Sequence, residues 1–275
     1  MNGATESGRR WYHTIDFPDG TVTPGFADTR GARAQVSWPS AMAGGRCLDV
    51  GTFDGFWAFE MERLGAREVI ALDVEDPTKI DWPYDWRRAG PQVVRADGRL
   101  DGSGFTLAAA ALEASATRTS GSVYELDPEI HGRFDVAFCG ALLLHLQDPV
   151  RALEAIRDVC AGELVLVEHL DPLLELIAPR VPCARVAPEG DQWWRANSAG
   201  LVRLLARAGF ELTWLGRRFL VPHGPGWSNR RSLTDSLAAR SPRGRGALHR
   251  AFRARARPPA DAAELTGALE RPPTR

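Results

Sequence analysis

The sequence predicts an α/β protein built on a doubly wound, mostly parallel sheet. Three observations carry the prediction. From about residue 46 onward, short apolar runs alternate with helix-like stretches, the order expected when strands lie side by side under helices. The run ELVLVE at 163–168 shows no in-and-out alternation, as a strand buried on both faces should. The first run, RCLDV at 46–50, stops at Gly51-Thr52-Phe53-Asp54-Gly55 and restarts as a helical pattern. Such strand–turn–helix openings hold ligands beyond the carboxyl ends of the strands.

Each element follows from local chemistry. The 46–50 strand leads into a helix over 57–64 that stops at Gly65, and EVIAL at 68–72 is a second strand closed by Asp73. A third strand is expected at 92–96, then an alanine-rich helix near 105–114 and a weaker strand at 117–123. FDVAFC at 134–139 reads as a further strand. Pro149 opens a helix over 149–159, since its missing N–H is not needed in a first turn. After the 163–168 strand, a helix over 198–208 ends at Gly209. Runs at 211–215 and 219–221, joined by Gly216-Arg217-Arg218, predict a C-terminal antiparallel hairpin.

Two flanks surround this core. Residues 1–44, polar and aromatic, are expected to form an N-terminal cap or lid over a ligand-binding domain at 45–222. Residues 223–275, rich in Gly, Pro and Arg, read as an extension. Within it, 230–257 carries nine arginines against one acid, Asp235. That stretch could contact RNA, but a peripheral helix and a frayed end explain it more simply.

Composition excludes some function classes. With 275 residues the chain can bury a sizeable core, and 44% hydrophobic and 25% charged residues are ordinary for a globular protein. A net charge of −1 gives no global attraction to nucleic acid or anionic membrane. Cys47, Cys139, Cys160 and Cys183 form no CxxC pair, so they read as buried thiols in a reducing compartment, not a disulfide frame or zinc site. No run approaches the roughly 18 apolar residues of a membrane span, and the first residues lack the apolar centre of a secretory signal. The expectation is a cytoplasmic protein without a membrane partner, a monomer or homodimer. The histidines are too scattered for a ligand motif, and no metal is assigned.

The glycine turn narrows the ligand. A dinucleotide fingerprint needs Gly-x-Gly-x-x-Gly so that backbone can approach a pyrophosphate. Here the spacing is Gly51-x-x-x-Gly55, with Asp49 at the strand end. A carboxylate there repels a pyrophosphate and suits a cation. S-Adenosylmethionine, with an α-ammonium, a sulfonium and no phosphate, fits that polarity. Asp49 would sit near the ammonium, the Gly51–Thr52–Gly55 backbone would close over the methionine and ribose, and Asp73 would accept the ribose hydroxyls. An NAD-binding fold also places an acid near Asp73, so discrimination rests on Asp49 with the glycine spacing. The plain alternative is a tight turn that holds nothing.

The segments LDVGTFDGFWAFE, VIALD, SVYELDP, FDVAFCGALLLHLQDPVRAL, ELVLVEH and WWRANSAGLVRLLARAGF extend the pattern. Together they make the chain resemble a class I S-adenosylmethionine-dependent methyltransferase over roughly residues 11–222. More narrowly, it resembles the bacterial tRNA wobble-uridine (5-oxyacetic acid pathway) methyltransferase-like group and its smaller relatives. The resemblance implies a seven-stranded Rossmann-like sheet, S-adenosylmethionine as donor and S-adenosylhomocysteine as product. It also implies that Ser122, Val123 and Tyr124 flank the adenine, and that Cys139 and Gly140, with Ala141, pass beneath the methionine sulfur. Two positions depart from the pattern: Phe53 stands where many members have glycine or a polar residue, and Ala196 where this group often has proline before Asn197.

Methyl transfer is an in-line displacement on an already activated carbon, so positioning and dehydration can supply much of the catalysis. A base is needed only if the nucleophile must lose a proton. His145, His169 and His13 are the candidates, each with packing as the bland alternative. Tyr12, Trp193, Trp194 and Asn197 are candidate acceptor contacts, and Trp82, Tyr84 and Trp86 form a further aromatic group. The expected function is methylation of an O or N nucleophile of a small molecule in specialised metabolism such as antibiotic biosynthesis. The alternative is a tRNA wobble-uridine-modifying enzyme, with nucleic acid as partner. An oxidoreductase is disfavoured by the missing fingerprint, and a scaffold that binds cofactor without transfer would keep the same residues.

Overall fold

Two faces of one sheet account for nearly every buried apolar residue. The computed structural model describes residues 9–89, 101–187, 190–227 and 246–258. The first strands, β1 (Trp11–His13) and β2 (Gly25–Ala27), pair in parallel within the N-terminal cap. Then come β3 (Arg46–Val50), α1 (Phe56–Arg63), β4 (Glu68–Asp73), α2 (Tyr84–Ala89), α3 (Ser103–Leu112) and β5 (Thr117–Ser120). They are followed by α4 (Pro128–His131), β6 (Phe134–Gly140), α5 (Pro149–Val159), β7 (Cys160–His169) and α6 (Pro172–Ile177). A small antiparallel pair, β8 (Ala184–Val186) and β9 (Trp194–Ala196), precedes α7 (Ser198–Arg207), β10 (Phe210–Pro222) and β11 (Gly246–Ala256).

The main sheet has the order β10-β11-β7-β6-β3-β4-β5. Strands β3 to β7 run parallel, while β11 lies antiparallel to both β7 and β10. Period-2 alternation divides the core. Leu48, Val50, Leu164 and Leu166 face α5 and α7, whereas Cys47, Val136, Val165 and Val167 face α1 and the cap. Helix α5 shows how sequence sets one such contact. Asp148 caps it by accepting from the Arg151 N–H (3.0 Å), Pro149 opens it, and Ala152, Leu153, Ile156 and Val159 form the buried stripe. Strand order reverses between β4 and β6 on either side of β3, and there a doubly wound sheet opens its ligand crevice.

The seven-stranded sheet and its antiparallel end are as expected, but the hairpin is built differently. Residues 210–222 form one continuous strand, with register shifts at Leu212/Trp214 and Leu215/Arg218 in place of a turn at Gly216-Arg217-Arg218. The partner strand is β11, from the segment read as an extension beyond 222. In 246–256, Arg250, Arg253 and Arg255 stay partly or fully exposed while Ala251, Phe252 and Ala254 between them are buried, so these arginines belong to a strand; those of 230–245 lie outside the described residues. Phe252 is fully buried between the faces of its neighbours. Inserted between β7 and β10, β11 satisfies a ladder that β7 would otherwise leave open. Two further differences are local: the strand expected at 117–123 ends at Ser120 because Ser122 and Glu125 close a capping box, and the strand expected at 92–96 lies outside the described residues.

Candidate active site

The glycine turn follows β3 at the crevice. Gly51 has φ +77°, and a Cβ there would come 3.3 Å from the Leu142 side chain, so only glycine sits there without strain. Phe53 adopts φ +48°, uncommon for a bulky residue. Its N–H donates to Asp73 Oδ2 (2.7 Å), and its ring stacks on Tyr12 with centroids 4.7 Å apart. Asp73 accepts a second hydrogen bond from the Val74 N–H (2.8 Å), and burial raises its pKa above the usual carboxylate range. Gly55 has a different task. A Cβ there would strike Phe59 and Phe105 at 2.5 and 2.7 Å, so it lets α1 and α3 close together.

These residues open on a cavity of about 170 Å³. Gly51, Asp73, Ser122, Val123, Tyr124 and Gly140 all line it, as do Trp82, Trp86 and Lys79. Tyr124 donates to Asp81 Oδ2 (2.5 Å) and accepts from the Asp148 N–H (3.1 Å), bracing the wall. Asp49 and Thr52 lie beneath the turn, buried, each with a side-chain oxygen that has no hydrogen-bond partner. Burial pushes the Asp49 carboxyl up to about 7. Asp49, Thr52 and Gly55 do not line the cavity themselves, but a buried carboxylate oxygen without a partner is costly, and a ligand cation above the turn would complement it. The residue set therefore fits S-adenosylmethionine. Cys139 is fully buried, its thiol held well above the usual range by burial, and it lines neither cavity described here.

A second chamber of about 770 Å³ adjoins the first. Tyr12, Gly140, Ala141 and His145 line both, so the two spaces meet at the ends of the cap and of β6. Five of the six histidines line the chamber: His13, His145, His169, His223 and His249. Burial pulls His13 and His169 down to about 3 and His249 to about 4, and lowers His223 as well, so these imidazoles are neutral near pH 7. His169 and His249 are register partners on β7 and β11, and their rings stack at 5.2 Å. His145 Nδ1 lies 3.1 Å from the Asp191 carbonyl. A carbonyl only accepts, so Nδ1 carries the hydrogen and Nε2 offers its lone pair. His13 Nδ1 has no hydrogen-bond partner and lies 3.9 Å from Asp54 Oδ2. Among the described residues, no group of three or more His, Cys, Asp or Glu side chains could hold a metal ion.

The expected contacts at Trp193, Trp194 and Asn197 are not met: none lines either cavity. Trp193 Nε1 donates to the Asp81 carbonyl (2.7 Å) and Trp194 Nε1 to the Leu146 carbonyl (3.2 Å), tying the β8–β9 lobe to the cavity wall. Asn197 is fully buried. Its Oδ1 accepts from the Gly200 N–H (2.8 Å) to cap α7, and its Nδ2 donates to the carbonyls of Ala178 and Val181 (2.7 and 2.8 Å). Asp54, Phe26, Trp227, Arg195, His223 and His249 are site residues that sequence reasoning missed. Asp54 was legible as an acid inside the glycine turn. His249 required recognition of β11 as a strand.

A doubly wound sheet with a carboxylate beneath its first glycine turn and a ribose-type acid on the next strand defines a class of nucleoside-cofactor transferases. A methyltransferase-domain family model matches residues 30–215, and the chain belongs to that family. It is a methyltransferase whose cofactor is S-adenosylmethionine. The crystal structure of the [4+2]-cyclase SpnF is 18% identical, with 83% of this chain and 79% of that chain covered at a TM-score of 0.51, which shows a shared fold. A Burkholderia thailandensis 1,6-didemethyltoxoflavin-N1-methyltransferase structure, with bound 1,6-didemethyltoxoflavin and S-adenosylhomocysteine, is also 18% identical. That alignment covers 84% of this chain and 78% of that one, with a TM-score of 0.49. No curated protein sequence matches the chain significantly. Among the described residues, no helix is long and apolar enough to cross a membrane.

Proposed function

We propose that the chain transfers the methyl group of S-adenosylmethionine to an oxygen or nitrogen nucleophile of a small molecule in specialised metabolism, such as antibiotic biosynthesis. The junction of the two cavities at Tyr12, Gly140, Ala141 and His145 carries this reading. Cap residues wall part of the larger chamber, and its rings are mostly aromatic or neutral imidazole. Such a lining suits a small acceptor better than a polynucleotide backbone, which needs a basic track. All four cysteines are free and three are buried, which supports a reducing, cytoplasmic location.

When bound, S-adenosylmethionine supplies an already activated methyl group. The chain's own work is then to bind, orient and exclude water. Asp49 would face the cationic end, Asp73 would accept hydrogen bonds from the ribose hydroxyls, and the Ser122–Val123 turn would meet the adenine edge. His145 stands at the junction with Nε2 free. The methyl carbon's bond to sulfur would break as its bond to the nucleophile forms, leaving S-adenosylhomocysteine, and the proton released from the nucleophile's O–H or N–H would pass to His145 Nε2. The Asp191 carbonyl keeps the tautomer that makes this possible. His13 and His169 line the chamber as neutral positioning groups.

Calorimetry with S-adenosylmethionine, S-adenosylhomocysteine, NADH and bulk tRNA tests the reading. The first two should bind, and tRNA should not at physiological salt. If the acceptor is instead a wobble uridine, as the narrower likeness would have it, tRNA binds with steep salt dependence. Binding of NADH alone would overturn both possibilities.

A further inference from the structure

We infer that the acceptor carries a carboxylate and that Arg195, on the chamber wall outside the cofactor cavity, recognises it. The inference rests on the chamber being the acceptor site. Strands β8 and β9 place Arg185 and Arg195 opposite each other, and both line the chamber but not the cofactor cavity. Their electrostatic circumstances differ. Arg185 gives Nε and Nη2 to Asp171 Oδ2 at 2.8 and 2.6 Å, so its charge is spent inside the protein. Arg195 Nε donates to Gln192 Oε1 (2.7 Å), a neutral acceptor that fixes the guanidinium without compensating it. Among the described residues, no carboxylate lies within ion-pair distance of Arg195, and its Nη1 and Nη2 make no hydrogen bond.

A half-buried guanidinium without a counter-ion is an unusual thing for a fold to hold. Burial already disfavours its charged form, lowering its pKa from the ordinary value. The buried imidazoles around it are neutral and supply no charge of either sign. The natural complement is a ligand anion. Two free terminal nitrogens in one plane match the two oxygens of a carboxylate. Asp171, Arg185 and Asp191 all lie close enough to act on Arg195; with Arg185 offsetting Asp171, the remaining Asp191 charge leaves room for one negative charge rather than for a dianion such as a phosphate ester. Phe26, Trp57, Val167, Trp227 and Leu248 supply apolar walls. The acceptor is therefore an apolar or aromatic body with one carboxylate, its nucleophile held at His145.

The test uses the full chain saturated with S-adenosylhomocysteine and three probes: 1-naphthoate, its neutral analogue 1-naphthamide, and 1-naphthyl phosphate. Affinities are read by quenching of tryptophan fluorescence and confirmed by calorimetry. The wild type should favour naphthoate over naphthamide by roughly tenfold or more, the scale of a charge-assisted hydrogen bond. Arg195→Gln should remove that preference while leaving S-adenosylhomocysteine and naphthamide affinities unchanged, which also shows that the variant is folded. Arg195→Lys should restore part of it. Equal affinity for naphthoate and naphthamide, no measurable naphthoate binding, tighter binding of the phosphate ester, or a preference that survives Arg195→Gln would each overturn the inference. Failure of S-adenosylhomocysteine itself to bind would instead strike the cofactor reading.

Discussion

Asp54, inside the glycine turn, accepts a 2.6 Å hydrogen bond from the backbone N–H of Tyr12 and a second, at 3.0 Å, from that of His13. One carboxylate thus fastens the cap to the loop that borders the cofactor cavity. Because Tyr12 lines both cavities and stacks on Phe53, the strap sets the geometry of the junction as well as the position of the cap.

Replacing Asp54 by alanine should therefore act on stability and on binding together. Two N–H groups lose a buried acceptor, at a cost of about 1–3 kcal/mol. Urea denaturation should show this loss, and Asp54→Asn, which keeps one acceptor oxygen, should lose less. Equal stability of the wild type and Asp54→Ala would mean that the cap is held elsewhere.

Asp73 should matter to cofactor affinity by hydrogen bonding. Asp73→Ala is expected to weaken S-adenosylhomocysteine binding by about 1–3 kcal/mol, on the scale of hydrogen bonds to a charged acceptor. Calorimetry measures it directly. Unchanged affinity would place the ribose away from the end of β4.

Asp49 gives a pH signature. Its carboxyl, pushed up to about 7 by burial, is largely protonated below that pH and ionised above it. A cation beside it favours the ionised form, so S-adenosylmethionine affinity should rise as pH increases through 7, with release of a proton on binding. Calorimetry in two buffers of different ionisation enthalpy reads that proton. Asp49→Asn should abolish the part of the pH dependence that belongs to this carboxyl.

His145→Ala should lower turnover by roughly 10²–10⁴-fold if the imidazole takes the proton, while leaving S-adenosylhomocysteine affinity unchanged. A rate profile over pH 6–9 identical to that of the wild type would remove the histidine from this role.

The buried histidines predict an acid limb in stability. His13, His169 and His249 have native pKa values near 3 to 4, below the unfolded value of 6.5. Below pH 6.5 the unfolded chain binds protons that the native one refuses, so stability falls as pH drops toward 4. Asp49 and Glu168, raised to about 7 and about 8, act in the opposite sense: their contribution is lost as pH rises through those values. They blunt the slope between 5 and 7, and the histidine-driven loss should be steepest near pH 4. Thermal melts across pH 3–8 should show it, with a shallower acid limb in His13→Asn.

Much of the scaffold was legible along the chain because it is local. ELVLVE is apolar without a break between its two glutamates, RCLDV runs straight into its glycine turn, Asp148-Pro149 caps and opens its own helix, and Gly51 is required by its own φ and by Leu142 above it. Asp73 could be placed at a strand end by the length of EVIAL alone. What the sequence by itself determined was thus the sheet, its first ligand-binding turn and the acids beside it, all set by short-range periodicity and turn chemistry.

The acceptor chamber was decided only in three dimensions. His169 and His249 stand 80 residues apart and meet because β11 inserts beside β7, a long-range pairing masked by the arginines interspersed along β11. The tryptophans at 193 and 194 looked like pocket walls because aromatic side chains favour such places, but backbone carbonyls at Asp81 and Leu146 turned their indole N–H groups aside. Whether a guanidinium finds a counter-ion depends on which strand faces it, and Arg185 and Arg195 look alike until Asp171 and Gln192 are folded against them. Charge compensation and cavity lining are sums over distant neighbours, and only tertiary packing supplies those neighbours.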